Sequence, residues 1–450
     1  MMRSILALFS VIVHVVTAGK SFITLLDDDV SSQPLCHTED LLVCQKAQVD
    51  VKVFMKNNVI TFPPNITMKK TKSSIEKTGT KVIQLRDIDG KSSMGLITIT
   101  IENFVILKVD TVHGKTYDLV NCGLDCYLWR TINATFFDHL DFSRPALNRT
   151  EFNRKLDPAI AQLMEESRQS NAQVVITIKI YYTRALWTIT PNLLGVIENK
   201  IAETNAVMQN SYIPITIRGI CPQLMDVSES GNARQFTNRI ELYRPLNQLY
   251  DGADLAMLMT VNCRPGACGF ASTINVINTG GIRLAWSPTF AGPSYIFAHE
   301  LGHLLGGEHD RTELGCGFRC SGTAHGYLIH GLRYVTVMAY EPDGGQYEVI
   351  PYFSSPNIVS RNGLAFGTPV DDVRSTILSL RFAISRLGND QCQRKFIWED
   401  NGIIVKDAIH INLSLLASQK ILGLAKWVTT HVIIQESNHR CSHQSHVGDQ

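Results

Sequence analysis

The sequence predicts an α/β (α+β) region in which helices pack on a mostly parallel sheet, preceded by a β-rich N-terminal region. From residue 174 onward, apolar runs of strand length alternate with segments of helical period, the order that builds parallel sheets. Before that point, short stretches alternate apolar and polar residues with turn residues such as Asp89-Gly90 between them. The chain is 44% hydrophobic and 18% charged over 450 residues, enough apolar material for a large core and enough length for two domains plus processing segments.

Taken in chain order, Arg3 is followed by the apolar runs Ile5-Leu6-Ala7-Leu8-Phe9 and Val11-Ile12-Val13, then by Val16-Thr17-Ala18 before Gly19. A charged start, a short apolar core and small residues at the end describe a secretory signal peptide over 1–18. The run is shorter than the ~20 residues of a spanning helix, and residues 403–436 are broken by Lys406, Asp407, Lys420 and Lys426, so no membrane anchor is expected. Residues 19–170 hold the strand-like stretches 49–54 and 96–101. The next unit, 171–390, opens on a strand at 174–182, followed by a helix over 189–209 and a strand at 213–217. A buried central strand at 254–261, a helix over 294–306 and a closing helix over 370–387 complete it; Asp371 and Asp372 favour the positive end of the last helix. Residues 391–450 carry no motif.

The stretch His299-Glu300-Leu301-Gly302-His303-Leu304-Leu305-Gly306-Gly307-Glu308-His309-Asp310 points to chemistry. Histidines four apart on a helix project from one face, where two ring nitrogens can bind one metal ion. Gly306 tolerates the positive φ that would end the helix and swing His309 back as a third ligand, leaving a fourth position open for water. Glu300 lies beside that position as a general base.

The pattern H-E-x-x-H-x-x-G-x-x-H is matched at every fixed position and resembles the metzincin zinc metalloendopeptidases. Met338, in Tyr334-Val335-Thr336-Val337-Met338-Ala339-Tyr340, is similar to their Met-turn, an apolar floor beneath the ligands. Asp310 after the third His is similar to the reprolysin/adamalysin group, while Tyr340 is similar to the astacin and serralysin pattern and Val337 stands where most of the adamalysin group has Cys. The resemblance is therefore to a divergent reprolysin-like branch, near the secreted venom-type and peptidyl-Asp metallopeptidases. It implies a metzincin-type catalytic domain at 171–390, with a mostly parallel five-stranded sheet and an active-site helix. It also implies a β-rich propeptide at 19–170, one catalytic Zn2+ on His299, His303 and His309, and peptide-bond hydrolysis by zinc-activated water with Glu300 as base.

Other residues take roles by the same resemblance. Asp310 orients the turn behind the ligands; Tyr340 is either an oxyanion helper or a packed core tyrosine. Gly266-Ala267-Cys268-Gly269-Phe270-Ala271-Ser272 resembles the edge strand that pairs with an extended polypeptide substrate, and Ile350-Pro351-Tyr352-Phe353-Ser354-Ser355-Pro356 the wall of a specificity pocket. Cys122 has two readings, a zinc-binding cysteine switch of the propeptide or a local disulfide with Cys126. Zinc ligation by Cys316 and Cys320 is the competing use of the cysteines after His309.

Eleven cysteines suit several disulfides in an oxidising compartment, with at least one thiol left over, and sequons at Asn65, Asn133, Asn148 and Asn412 agree with a secreted, extracellular glycoprotein. A net charge of +1 without a Lys/Arg block argues against nucleic acid as a partner. The sequence allows bound Ca2+ without placing it and does not set the oligomeric state. The rival to an enzyme is a secreted, toxin-like binding effector that uses this fold without cutting.

Overall fold

The computed structural model describes residues 22–388, apart from 134–157 and short stretches in other loops, together with 397–400 and 403–406. The expected signal peptide, the sequons at Asn148 and Asn412, Cys316, Cys320 and nearly all of 391–450 lie outside the described residues.

Nine strands make the largest sheet: β1 (Ile23–Leu26), β2 (Leu41–Val49), β3 (Val59–Phe62), β4 (Ile66–Ile75), β5 (Lys81–Asp87), β6 (Met94–Ile99), β7 (Val105–Asp110), β8 (Lys115–Gly123) and β9 (Cys126–Asn133). Their order is β1-β2-β9-β8-β7-β6-β5-β4-β3, with every pair antiparallel. The sheet curls until its ends nearly meet. Phe22, beside β1, packs 5.9 Å from Phe62 on β3 at the opposite edge, and Phe62 stacks 6.5 Å from Trp129 on β9. Phe22, Ile60, Phe62, Leu85, Ile97, Leu107, Leu119 and Trp129 fill the barrel-like interior.

This overturns the expected fold class. An α/β molecule with a mostly parallel five-stranded sheet does not describe the chain, because its strand pairing is mostly antiparallel and its dominant sheet is this nearly closed one. The physical reason is connection length. Consecutive strands joined by short turns can only pair antiparallel, and seven of the eight pairings in this sheet, all but β2–β9, join consecutive strands. A local expectation also fails: of 49–54 only Val49, the end of β2, is strand, because Asp50 accepts a hydrogen bond from the Val53 amide (3.0 Å) and caps a short helix, Val51–Lys56.

A second sheet, in the order β11-β10-β12-β14-β13, comprises β10 (Val174–Thr183), β11 (Ile215–Met225), β12 (Leu255–Thr260), β13 (Phe270–Ala271) and β14 (Leu284–Pro288). Parallel pairs link β11, β10, β12 and β14; β13 runs antiparallel at the edge. Around it lie α1 (Pro158–Gln169), α2 (Leu193–Asn210), α3 (Ile296–Leu304) and α4 (Val373–Ile384). Polar caps set their starts. Asn192 accepts from the Gly195 amide at the head of α2, and Asp372 from the Ser375 amide at the head of α4. Both helices therefore begin about a turn later than apolar periodicity alone suggests.

One core joins the two sheets. Met94, Ile106, Val120 and Leu128 of the curled sheet pack in the same buried cluster as Ile176, Ile178, Val196, Ile197, Leu255 and Leu301. Polar groups cross the seam as well: Asn199 of α2 donates to Thr98 at 2.9 Å, and Lys108 of β7 meets Glu203 of α2 at 2.7 Å. Among the described residues no helix is long and apolar enough to cross a membrane.

Candidate metal centre

The helix α3 is apolar on nearly every side, as a helix passing through a core must be, and the polar groups it buries are His299, Glu300 and His303. Its entry is unusual. Tyr295 precedes it at φ 65° and ψ 17°, left-handed backbone that costs a non-glycine residue about 1–3 kcal/mol, and no side chain caps the helix. Its exit is a Schellman turn: the Gly307 amide donates to the Gly302 carbonyl (2.8 Å) and the Gly306 amide to that of His303 (2.9 Å), with Gly306 at φ 99°. The chain then reverses and brings His309 back.

The structure places the Nε2 atoms of the three histidines together, 3.1 Å between His303 and His299 and 3.0 Å between His303 and His309. The Nδ1 atoms of His299 and His303 lie 2.6 Å from the Val337 carbonyl and 2.8 Å from the Gly307 carbonyl. A carbonyl only accepts, so each Nδ1 carries its ring's proton and each Nε2 points a lone pair at the others. Lone pairs facing one another repel unless a cation lies among them. Two nitrogens at 2.0–2.1 Å from a tetrahedral zinc ion would sit about 3.3 Å apart, close to what is found. The donor set therefore fits a zinc ion held by His299, His303 and His309, all three buried.

Met338 is fully buried against the helix that carries His299 and His303. A Cβ on Gly302 would come within 2.4 Å of its Sδ, so the helix approaches the methionine closely because that position is glycine. Asp310 ties the ligand loop to the following turn, its Oδ1 accepting from the Thr312 amide and its Oδ2 from the Tyr340 amide, both at 2.9 Å. The Tyr340 hydroxyl is 3.1 Å from His309 Nε2, which puts it at the centre rather than only in the core.

Glu300 is fully buried one residue from the first ligand. The residue facing its carboxylate is Gly269, just before β13, where a Cβ would stand 2.1 Å from Oε1. Nearby, a disulfide joins Cys263 and Cys268. Phe353 of the expected pocket wall reaches the helix from another side, 3.0 Å from where a Cβ on Gly302 would be. Cys122 is not brought to the site. It is bonded to Cys126 across the β8–β9 turn, so its sulfur is no free thiolate, and the cysteine-switch reading is corrected. Two contributors were missed by sequence reasoning: Tyr295, and His325, a buried ring whose Nδ1 lies 3.0 Å from the His309 carbonyl. A lone histidine without motif spacing gives no signal that could have found it.

Residues 172–360 match the profile of metallo-peptidase family M12, reprolysin type. That segment is similar to M12 metallopeptidase domains. It is similar to a peptidyl-Asp metalloendopeptidase of Stenotrophomonas maltophilia, 30% identical over 191 residues, which cover 39% of this chain and 43% of that protein. A peptidyl-Asp metalloendopeptidase of Xanthomonas campestris pv. campestris is 30% identical over 188 residues, with 39% and 42% covered. The chain thus spans less than half the length of these curated relatives. Among solved structures, metalloproteinase-II from Bacteroides fragilis aligns at a TM-score of 0.37 and 14% identity over 74% of this chain and 94% of that one. The three histidines, Glu300, Asp310, Met338 and Tyr340 all fall inside the matched segment.

Proposed function

We propose that this chain is a secreted zinc-dependent metalloendopeptidase that hydrolyses peptide bonds in extracellular proteins. The observation that carries the reading is the convergence of three histidine Nε2 atoms beside a buried carboxylate on the helix that bears two of them. When bound, the ion would polarise the scissile carbonyl and lower the pKa of water. His299, His303 and His309 would hold it, with backbone carbonyls fixing the tautomer of the first two. Glu300 takes the proton of the attacking water and passes it to the leaving amine; its burial one residue from His299 supports this role. Tyr340 offers a hydroxyl to the oxyanion, and Asp310 holds its backbone in position. The edge strand β13 supplies backbone groups for an extended polypeptide.

Disulfides at Cys36–Cys44, Cys122–Cys126 and Cys263–Cys268 support an oxidising compartment, and the apolar leader at 1–18 supports export to it. In this reading residues 19–170 are a prosegment, 171–390 the catalytic unit and 391–450 an extension without an assigned role. The name of the relatives makes peptides containing aspartate the first substrates to try.

The test is hydrolysis of a peptide library by the full chain, wild type beside Glu300→Ala, with zinc measured on both by mass spectrometry. Zinc in both, with the variant at least ~100-fold slower, is the expected result. Folded, zinc-loaded wild type that cuts no peptide, both intact and after limited proteolysis has released the proposed prosegment, would refute the protease and favour a binding effector.

A further inference from the structure

The proposed prosegment reaches the helix that carries two of the ligands and Glu300 through one buried cluster. Tyr295, the left-handed residue at the start of α3, is 1% exposed, and its phenol hydrogen-bonds Asp110 of β7. Asp110 accepts in turn from Thr116 Oγ1 of β8 at 2.7 Å, and Lys108 Nζ stands 3.8 Å from its other oxygen. Lys108 also lies 5.3 Å from the centre of the Tyr295 ring and 2.7 Å from Glu203 of α2. On the other side, the Tyr295 carbonyl accepts from the His299 amide at 2.9 Å. A chain of contacts therefore runs from the curled sheet to the first metal ligand.

A tyrosine with positive φ persists only where its surroundings over-determine it. No side chain caps the α3 start; Tyr295 is held by its packing in the shared core and by the partners of its phenol. A carboxylate accepts, so in the pair with Asp110 the phenol is the donor and Asp110 the acceptor.

We propose that Asp110 is a positioning residue for the metal centre: by holding the Tyr295 phenol it fixes the left-handed residue from which α3 starts, and so aims His299 and His303. The curled sheet is then part of the scaffold that assembles the site. The inference rests on the reading of the three histidines as zinc ligands.

It is tested on the full chain with Asp110→Ala, Asp110→Asn, Tyr295→Phe and the Asp110→Ala/Tyr295→Phe pair. Zinc affinity is measured by chelator competition, and exchange of the α3 amides in metal-free protein by mass spectrometry. Asp110→Ala and Tyr295→Phe should each weaken zinc binding about 10-fold and speed α3 exchange, and the pair should be no worse than either single change. Asp110→Asn, which keeps an acceptor, should restore most of the loss. Lys46→Ala, at an exposed pair with Asp28, should change neither readout. Zinc affinity within about twofold of wild type in both single variants, with unchanged α3 exchange, would overturn the proposal. Should Asp110→Ala fail to fold, Tyr295→Phe, which removes one oxygen, decides alone. If wild type binds no zinc, the ligand reading falls, and α3 exchange in metal-free protein still decides whether Asp110 holds the helix.

Discussion

Gly269 is bare because the Glu300 carboxylate fills the space its side chain would need. Gly269→Ala must displace either the edge strand or the carboxylate by an ångström or more, and misplacement on that scale costs about 100-fold in kcat/KM. Zinc content should stay at the wild-type level, since no ligand moves; steady-state kinetics with metal analysis on one sample checks both. Glu348 makes a different residue-scale prediction. Burial first, then the Asp110 charge, raises its carboxyl from the ordinary 4.5 to about 8. The folded protein therefore keeps the proton that the unfolded chain releases, so this group's contribution to stability is complete below about pH 4.5 and is lost as pH rises to about 8. Glu348→Gln should flatten that decline and stabilise the protein by at least ~1 kcal/mol at neutral pH, as read from denaturant unfolding across pH. The cluster of three histidines was legible in sequence because its geometry is local, one helix and one turn. Gly269, Tyr295 and His325 act on groups far away in sequence, and their residue types are common enough to carry no signal alone.

At the scale of elements, the Schellman exit of α3 decides where the third ligand goes. Gly306→Ala puts a Cβ at φ 99°, at a cost of roughly 1–2 kcal/mol, and the chain can relieve that strain by opening the turn that returns His309. The expected outcome is zinc affinity reduced at least ~10-fold with far-ultraviolet circular dichroism unchanged, checked by chelator competition. Elements read from apolar periodicity, β12 and α2 to α4, could be placed but not bounded, because Asn192 and Asp372 set helix starts that the apolar pattern ignores. The short helix after Asp50 shows the limit more sharply. Its alternating residues suit a strand, and a single capping carboxylate reverses the outcome. The class of the molecule was misjudged for a related reason: strand alternation at 96–101 was visible, but pairing order and curvature are properties of the assembled sheet.

Across the whole molecule, the seam between the sheets behaves as interior. Lys108 and Glu203 face each other there with side chains 15% and 3% exposed. Burial opposes the charge on both, yet each is held ionised by its partners: Asp110 and Glu203 raise the Lys108 pKa, while Lys108 and Lys200 lower that of Glu203. Lys108→Met leaves Glu203 buried with Lys200 at 3.6 Å, and burial pulls the Lys200 pKa down. The single change should cost about 3–5 kcal/mol, and adding Glu203→Leu should recover much of it, a double-mutant cycle readable by urea unfolding.

The shared core also has a consequence in time. Strands β3 to β9 pair mostly with their neighbours in sequence, so the curled sheet can close while the ribosome is still making the rest of the chain. Until α2 is synthesised, the faces of Met94, Ile106, Val120 and Leu128 have nothing to cover them. The nascent sheet is then an apolar template on which the later half condenses, and for that interval it is also the stretch of the polypeptide that most needs a chaperone.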